Sequence, residues 1–349
     1  MLRLSPSGHK RLGQGSESFD VGPAGAELNV ACSLALLGHN ARYVTMLPNN
    51  NPLAEMLISR VKGYGVETQY ICRSSGRLGL VFVETGASQR PSRVHYDRDH
   101  SSVSLASPDQ YNWSAAFTSA DYLHVTGITP ALSKAAAEAT FEAVQVAKKS
   151  GLGISCDLNF RSKLWQWDNS KSPQQLASHV MQKLLPQVNL LIANETDLGD
   201  VLGLFSDLPE GTIDLDVYSA LARRAAQTFP NLSQVAITLR ESLSASHNRW
   251  GGLLLDVTTD QVCFAPQKAN AYTPYDIRHV VDRVGAGDAF AAGLLHALAT
   301  KKHRSPDQAI AFATAASCLA HSVPGDINQA NLSEIEALLA GSETGRVIR

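Results

Sequence analysis

The chain has 349 residues, and its 30 Lys and Arg against 32 Asp and Glu leave a net charge of −2. That length holds one large α/β domain or two small ones, and the near-neutral charge gives no footing for nucleic acid or a membrane surface. No apolar run approaches the roughly eighteen residues that span a bilayer, no secretory h-region follows Met1, and the five cysteines stand singly, the pattern of buried thiols in a reducing cytoplasm rather than a disulfide or zinc framework.

Residues 1–6 read as a short strand, and 7–23 as a polar, Gly-rich stretch with a brief Ser18-Phe19-Asp20-Val21 alternation. Gly25-Ala26-Glu27-Leu28-Asn29-Val30-Ala31 opens an apolar helix stopped at Gly38. A strand at 42–46 and a helix at 53–62 follow. Helix alternating with strand implies a parallel sheet. Residues 66–104 break the rhythm. Two strand patterns, 79–84 and 93–97, are joined by a polar turn with no helix between them. That predicts a small antiparallel sheet such as a lid, which the Phe19 segment can join. The α/β rhythm then returns, with strands at 122–125, 153–158, 190–193 and 235–239 and helices at 134–149, around 181–185 and at 217–228. A polar region at 242–271 carries strand-like pieces at 252–255 and 262–264. No linker divides the chain, so residues 1–349 are expected to form one domain, with the lid drawn from about 7–23 and 66–104.

The most informative stretch is Val281-Asp282-Arg283-Val284-Gly285-Ala286-Gly287-Asp288-Ala289-Phe290. Gly285 and Gly287 permit a tight or positive-φ backbone, and Phe290, Leu294, Leu295 and Leu298 then recur at helical spacing. Asp288 therefore falls in the first turn of a helix, beside free N–H groups and the positive end of the helix dipole. Taken alone, a Gly-x-Gly-Asp is most simply an acidic cap on a glycine turn. A carboxylate built into an anion site also suits a reaction in which charge develops there while the carboxylate takes a proton, as in phosphoryl transfer from ATP to a hydroxyl. The same N–H groups are expected to hold the Asp288 pKa down. There is no Walker A loop. Asn159 and Arg161, Asn194, Thr238 and Arg240, and residues 285–288 each follow a predicted strand, where an open α/β sheet collects its ligands.

The full string resembles the signature of the ribokinase-like carbohydrate kinases. Its Asp282-Arg283 opening looks most like the 2-keto-3-deoxygluconate kinase branch. So do Arg3-Leu4-Ser5-Pro6, Gly25 to Ala31, Tyr96-Asp97-Arg98, Thr126-Gly127-Ile128-Thr129-Pro130, Asp157-Leu158-Asn159-Phe160-Arg161, Thr238-Leu239-Arg240-Glu241-Ser242 and Gly325-Asp326. The resemblance implies a ribokinase-like three-layer α/β/α core with a small β-sheet lid. It implies ATP-dependent phosphorylation of 2-keto-3-deoxygluconate at its 6-hydroxyl, in Entner-Doudoroff-type sugar acid catabolism, with ATP and Mg2+ as cofactors. Asp288 would be the base, with Gly285, Ala286 and Gly287 forming the anion hole. Gly25, Asn29, Tyr96, Arg98, Arg161 and Asp326 would bind the sugar acid, since a planar guanidinium pairs well with a carboxylate. Asn159, Arg161, Asn194, Thr238, Arg240 and Ser246 would face the nucleotide, and Asn194 with Asp197 the metal. The branch has a longer first strand, which is usually central, and a glycine where this chain has Ala24. The partners implied are a small-molecule substrate and further copies of the chain meeting through the lid, with no nucleic acid and no membrane. The competing readings are a kinase for fructose, ribose or keto-deoxygalactonate, and a non-catalytic sugar or nucleotide sensor.

Overall fold

Successive residues of a strand face opposite sides of a sheet, and the middle of the chain uses this to build two cores on one sheet. In the strands Gly153–Asp157, Leu190–Ala193, Gln234–Ser244 and His247–Asp256, Ile154, Cys156, Leu191, Ala193, Val235, Ile237, Leu253 and Leu255 join one buried cluster. The alternate residues Leu190, Ile192, Ala236 and Leu254 join the other. Helices Lys134–Lys149, Pro173–Leu184 and Leu215–Thr228 cover the first cluster with residues such as Val144, Met181 and Leu221. Helices Ala286–Ala299 and Pro306–Ala320 cover the second with Phe290, Leu294, Ile310 and Phe312. The computed structural model, which describes residues 1–341 except 15, 16, 207 and 210, is thus the expected three-layer α/β/α core.

The main sheet has seven strands. Tyr122–Thr126, Gly153–Asp157, Leu190–Ala193 and Gln234–Ser244 run parallel in that order. His247–Asp256 and Gln261–Ala265 continue it antiparallel, and Tyr275–Ile277 pairs with the near end of His247–Asp256. Gln234–Ser244 outruns the expected 235–239 because its antiparallel partner carries it on, with Arg249 bonded to Glu241 across the pair at 3.1 Å.

A second, four-stranded sheet has the order Phe19–Pro23, Leu2–Pro6, Leu80–Glu84, Arg93–Asp97. The resemblance implied a first strand that is usually central. Leu2–Pro6 occupies the middle of this small sheet, antiparallel to Phe19–Pro23 and parallel to Leu80–Glu84. The two sheets touch at their turns, where Ala245 N–H donates to Ser88 O at 2.7 Å and Ser88 N–H donates to Ser246 Oγ at 3.0 Å. Several elements lie outside the expectations. Ile71–Ser74 pairs in parallel with Thr45–Pro48, and the short helix Glu195–Leu202 follows Asn194.

The motif helix Ala286–Ala299 is buried along nearly its whole length. Gly293 lets it approach Pro306–Ala320 closely, since a Cβ there would stand 3.0 Å from the Ala313 Cα and 3.0 Å from the Ala316 Cβ. No helix among the described residues is long and apolar enough to cross a membrane.

Candidate active site

A cavity of about 290 Å³ opens at the carboxyl ends of the parallel strands and runs under the small sheet. The chain reaches it from separate elements: the start of helix Ala26–Leu36, the strand Arg93–Asp97, the segments after Gly153–Asp157 and Leu190–Ala193, and the turn before Ala286–Ala299. Of the residues singled out in the sequence, Gly25, Asn29, Tyr96, Arg98, Asn159, Arg161, Asn194, Asp197, Thr238, Arg240, Gly285, Ala286, Gly287, Asp288 and Asp326 all line it. Ser246 does not. It lines a second cavity of about 960 Å³ that shares only Asp326 with the first, and it holds the Ser88 turn. Ala24 packs against Val81 and Val83 and is fully buried, away from the lining.

The turn at residues 285–288 has the geometry of an anion site. Gly285 sits at φ 87°, and a Cβ there would lie 1.9 Å from the Asp326 carbonyl oxygen. Only glycine satisfies both demands. Gly287 is different, because a Cβ there would meet nothing within 4 Å. The first helical bond runs from Ala289 N–H to Gly285 O at 2.8 Å, so the N–H groups of Ala286, Gly287 and Asp288 have no acceptor within the helix.

Asp288 is 8% exposed and accepts a bond from Asn29 Nδ2 at 2.7 Å. Its pKa is pushed up to about 7, first by burial, with the Asp326 and Glu27 carboxylates adding and the Asn29 bond opposing. This overturns the expectation of a depressed value. The N–H groups are present, but removal of the carboxylate from water outweighs them. A base poised near neutrality suits proton abstraction better than a depressed one.

Two more carboxyls share this character. Asp157 is held well above the usual range by burial and then by Asp197 and Asp288. Asp197, 4% exposed, rises to about 7 through burial, with Arg161 opposing. Asn194 caps Glu195–Leu202. Its Oδ1 accepts from Asp197 N–H at 2.8 Å, and its Nδ2 donates to Asp197 Oδ2 at 3.0 Å. Asn159 adopts φ 39°, and its N–H donates to Asp157 Oδ1 at 3.2 Å. Asp157 was not singled out, although it ends a strand by the same rule that picks out Asn159. Glu27, which accepts from Thr126 Oγ1 and Thr129 Oγ1 at 2.8 Å each, was likewise passed over inside a quoted motif.

The cations are arranged differently from the acids. The Arg98 guanidinium stacks over the Tyr96 ring, 4.5 Å from its centroid, makes no salt bridge with a described residue, and leaves Nε buried without a partner. Burial lowers its pKa. Arg161 Nη1 donates to Phe160 O at 2.7 Å and faces the Asp157, Asp197 and Asp288 carboxyls. Arg283 holds the carbonyls of Ser244 and Ala245 and the Oδ1 of Asn248, bracing the hairpin that carries Arg240 into the cavity.

The family model for pfkB family carbohydrate kinases matches residues 9–239 and 260–332. A 2-dehydro-3-deoxygalactonokinase of Haloferax volcanii is 31% identical over 345 residues, covering 99% of this chain and 96% of that one. The crystal structure of a 2-dehydro-3-deoxygluconokinase from Thermotoga maritima superposes with a TM-score of 0.88 at 40% identity, covering 98% of this chain and 97% of that one. A fructokinase from Xylella fastidiosa, solved with bound ATP, shares the fold with a TM-score of 0.74 at 20% identity, covering 98% of this chain and 96% of that one.

Proposed function

The chain belongs to the pfkB family of carbohydrate kinases, and on that premise we propose that it transfers the γ-phosphoryl group of ATP to the 6-hydroxyl of 2-keto-3-deoxygluconate. One observation carries the choice of an acid sugar. The Arg98 guanidinium, with its Nε buried and no ion pair among the described residues, lines the same cavity as Asp288. A cation taken out of water at this cost calls for an anionic partner, and a planar fork fits a carboxylate. The Thermotoga maritima enzyme supports the gluconate form. The Haloferax volcanii relative favours a second reading, the galactonate epimer, which differs at one hydroxyl.

In this reading Asp288 orients the attacking hydroxyl and receives its proton as charge develops. The N–H groups of residues 286–288 hold the transferring group, and the space beside Gly287 leaves room for it. Arg98 and Arg161 clamp the sugar acid, with Tyr96 beneath Arg98. Thr238 and Arg240 face the nucleotide. The small sheet acts as the lid, and its outward face is where copies of the chain meet.

Magnesium is tested by the donor set. Among the described residues no three His, Cys, Asp or Glu side chains stand close enough to hold a metal ion by themselves. The raised Asp157, Asp197 and Asp288 carboxyls nevertheless leave the cavity short of positive charge. Both facts fit a magnesium ion that would arrive with the nucleotide, and Asp197 and Asn194 would be the residues to hold it, through water. When bound, it neutralises charge on the nucleotide phosphates.

A coupled ADP-release assay with 2-keto-3-deoxygluconate, 2-keto-3-deoxygalactonate, fructose and ribose tests the reading. Turnover of the acids well above the neutral sugars is expected. Preference for a neutral sugar would refute the role of Arg98, and no turnover at all would favour a sensor.

A further inference from the structure

Arg3 lies at the middle of the small sheet, yet its side chain ends beside the glycine turn. It is 5% exposed, and all three guanidinium nitrogens are used. Nη1 donates to Asp326 Oδ1 at 2.5 Å, Nη2 to Asp282 Oδ2 at 2.5 Å, and Nε to Ser5 Oγ at 2.8 Å. The two acids are the flanks of the turn. Asp282 Oδ1 accepts Val284 N–H and its Oδ2 accepts Gly325 N–H, each at 3.1 Å. Asp326 lays its own carbonyl against Gly285, where a Cβ would come within 1.9 Å of it. One guanidinium therefore ties three distant segments into a frame around residues 284–287.

We propose that Arg3 is a positioning residue for phosphoryl transfer, its forked bonds to Asp282 and Asp326 holding the glycine turn in its anion-accepting shape and fastening that turn to the small sheet. The inference rests on the reading of residues 285–288 as the phosphoryl site. Neutralising two buried acids is something any nearby cation does, and such groups are often replaceable by apolar ones without loss of stability. The direction of the bonds adds more. A planar fork fixes the separation and tilt of the two carboxylates, and with them the loop strands on either side of Gly285. The N–H donors must sit within about 0.5 Å of the productive geometry, and a displacement of about 1 Å can cost on the order of a hundredfold in rate.

The test is Arg3→Lys, which keeps the charge and loses the fork. Turnover is measured with saturating ATP and sugar acid, and kcat is corrected for the binding-competent fraction by the calorimetric stoichiometry of a non-hydrolysable ATP analogue. A corrected kcat about tenfold or more below that of the unmodified chain, with both KM values within threefold, is expected, because binding contacts remain while the donors move. A corrected kcat within twofold would overturn the proposal, since charge alone would then suffice. If Arg3→Lys does not fold, Asp282→Asn carries the same test. It leaves the bond to Val284 N–H available and the Arg3–Asp326 pair in place, and the same two outcomes decide. Asp288→Asn is assayed alongside. If that variant keeps kcat within tenfold, the phosphoryl-site reading itself fails, whatever Arg3 does.

Discussion

Replacing Asp288 with Asn separates chemistry from folding. The rise of the Asp288 pKa from 3.8 to about 7 means that the folded chain disfavours the anion by up to on the order of 4 kcal/mol. A raised carboxyl pKa gives stability that is present below about 4 and is lost as pH climbs through about 7. Above that pH the protein holds a charge that the unfolded chain would hold more cheaply. Asn at 288 carries no charge, keeps the shape, and can accept the Asn29 Nδ2 bond. Asp288→Asn should therefore melt a few degrees higher than the parent at pH 8, with the gap closing toward pH 5. Loss of the base should meanwhile lower kcat by about 10²–10⁴. Thermal melts at the two pH values and the coupled ADP assay read both halves. In the parent, kcat/KM should fall about tenfold per pH unit below pH 7. A variant that melts lower at pH 8, or that keeps kcat within tenfold, would show the carboxylate to be structural.

Gly285→Ala should abolish activity and lower the melting temperature sharply, because the added Cβ meets the Asp326 carbonyl at 1.9 Å. Gly287→Ala should melt like the parent and yet lose activity, because its Cβ enters the space kept for the phosphoryl group. Activity in the first, or normal turnover in the second, would refute the assignment of the turn. Arg98→Met should raise KM for the sugar acid tenfold or more, since bonds to charged groups contribute about 1.5–3 kcal/mol. An unchanged KM would remove Arg98 from the carboxylate. His296, buried among His39, His303 and Phe312, has its pKa lowered to about 4, mainly by burial. A lowered histidine pKa favours the neutral folded form above 6.5, and that stability is lost as pH falls toward 4. Melting curves should show the parent losing up to about 3 kcal/mol relative to His296→Gln between those pH values. Parallel curves would refute this.

Local pattern explains what was legible in the sequence. The alternation of strands and helices, the paired strands 80–84 and 93–97, and the glycine turn are all set by neighbours in the chain, and so they show as spacing. Gly285 is legible because positive φ has one cheap residue. What escaped depends on partners far away. Arg3 meets acids 279 and 323 positions on, and nothing at residue 3 announces them. The placement of Leu2–Pro6 follows from pairing with Leu80–Glu84, not from its own alternation. The Asp288 pKa failed for a related reason. The helix N–H groups are local and countable, whereas the burial that raises the value, and the added charge of Asp326, come from parts of the chain far from residue 288. Asn194 was read as facing the metal, and its side chain also caps helix Glu195–Leu202, which short-range periodicity did not reveal.

The close contact at Gly293 has a mechanical consequence. At Gly293 the backbone of helix Ala286–Ala299 lies almost against that of Pro306–Ala320, with only the small residues Ala313 and Ala316 facing it. Long side chains take up strain by changing rotamer, and a joint of small residues has few to change. The element that presents Asp288 is therefore clamped to its neighbour and resists both sliding and rotation. The small sheet rests instead on the core helices Ala26–Leu36 and Pro52–Gly63, with Leu2 buried among Leu28, Cys32, Ala54 and Leu57. It bonds to the turn after Gln234–Ser244 through Ser88, and Arg3 reaches the loop acids Asp282 and Asp326. Asp288 and the free N–H groups of residues 286–288 are fixed by the Gly293 contact relative to the helix pair, and in the proposed reading entry and release of the sugar fall to movement of the small sheet rather than of helix Ala286–Ala299.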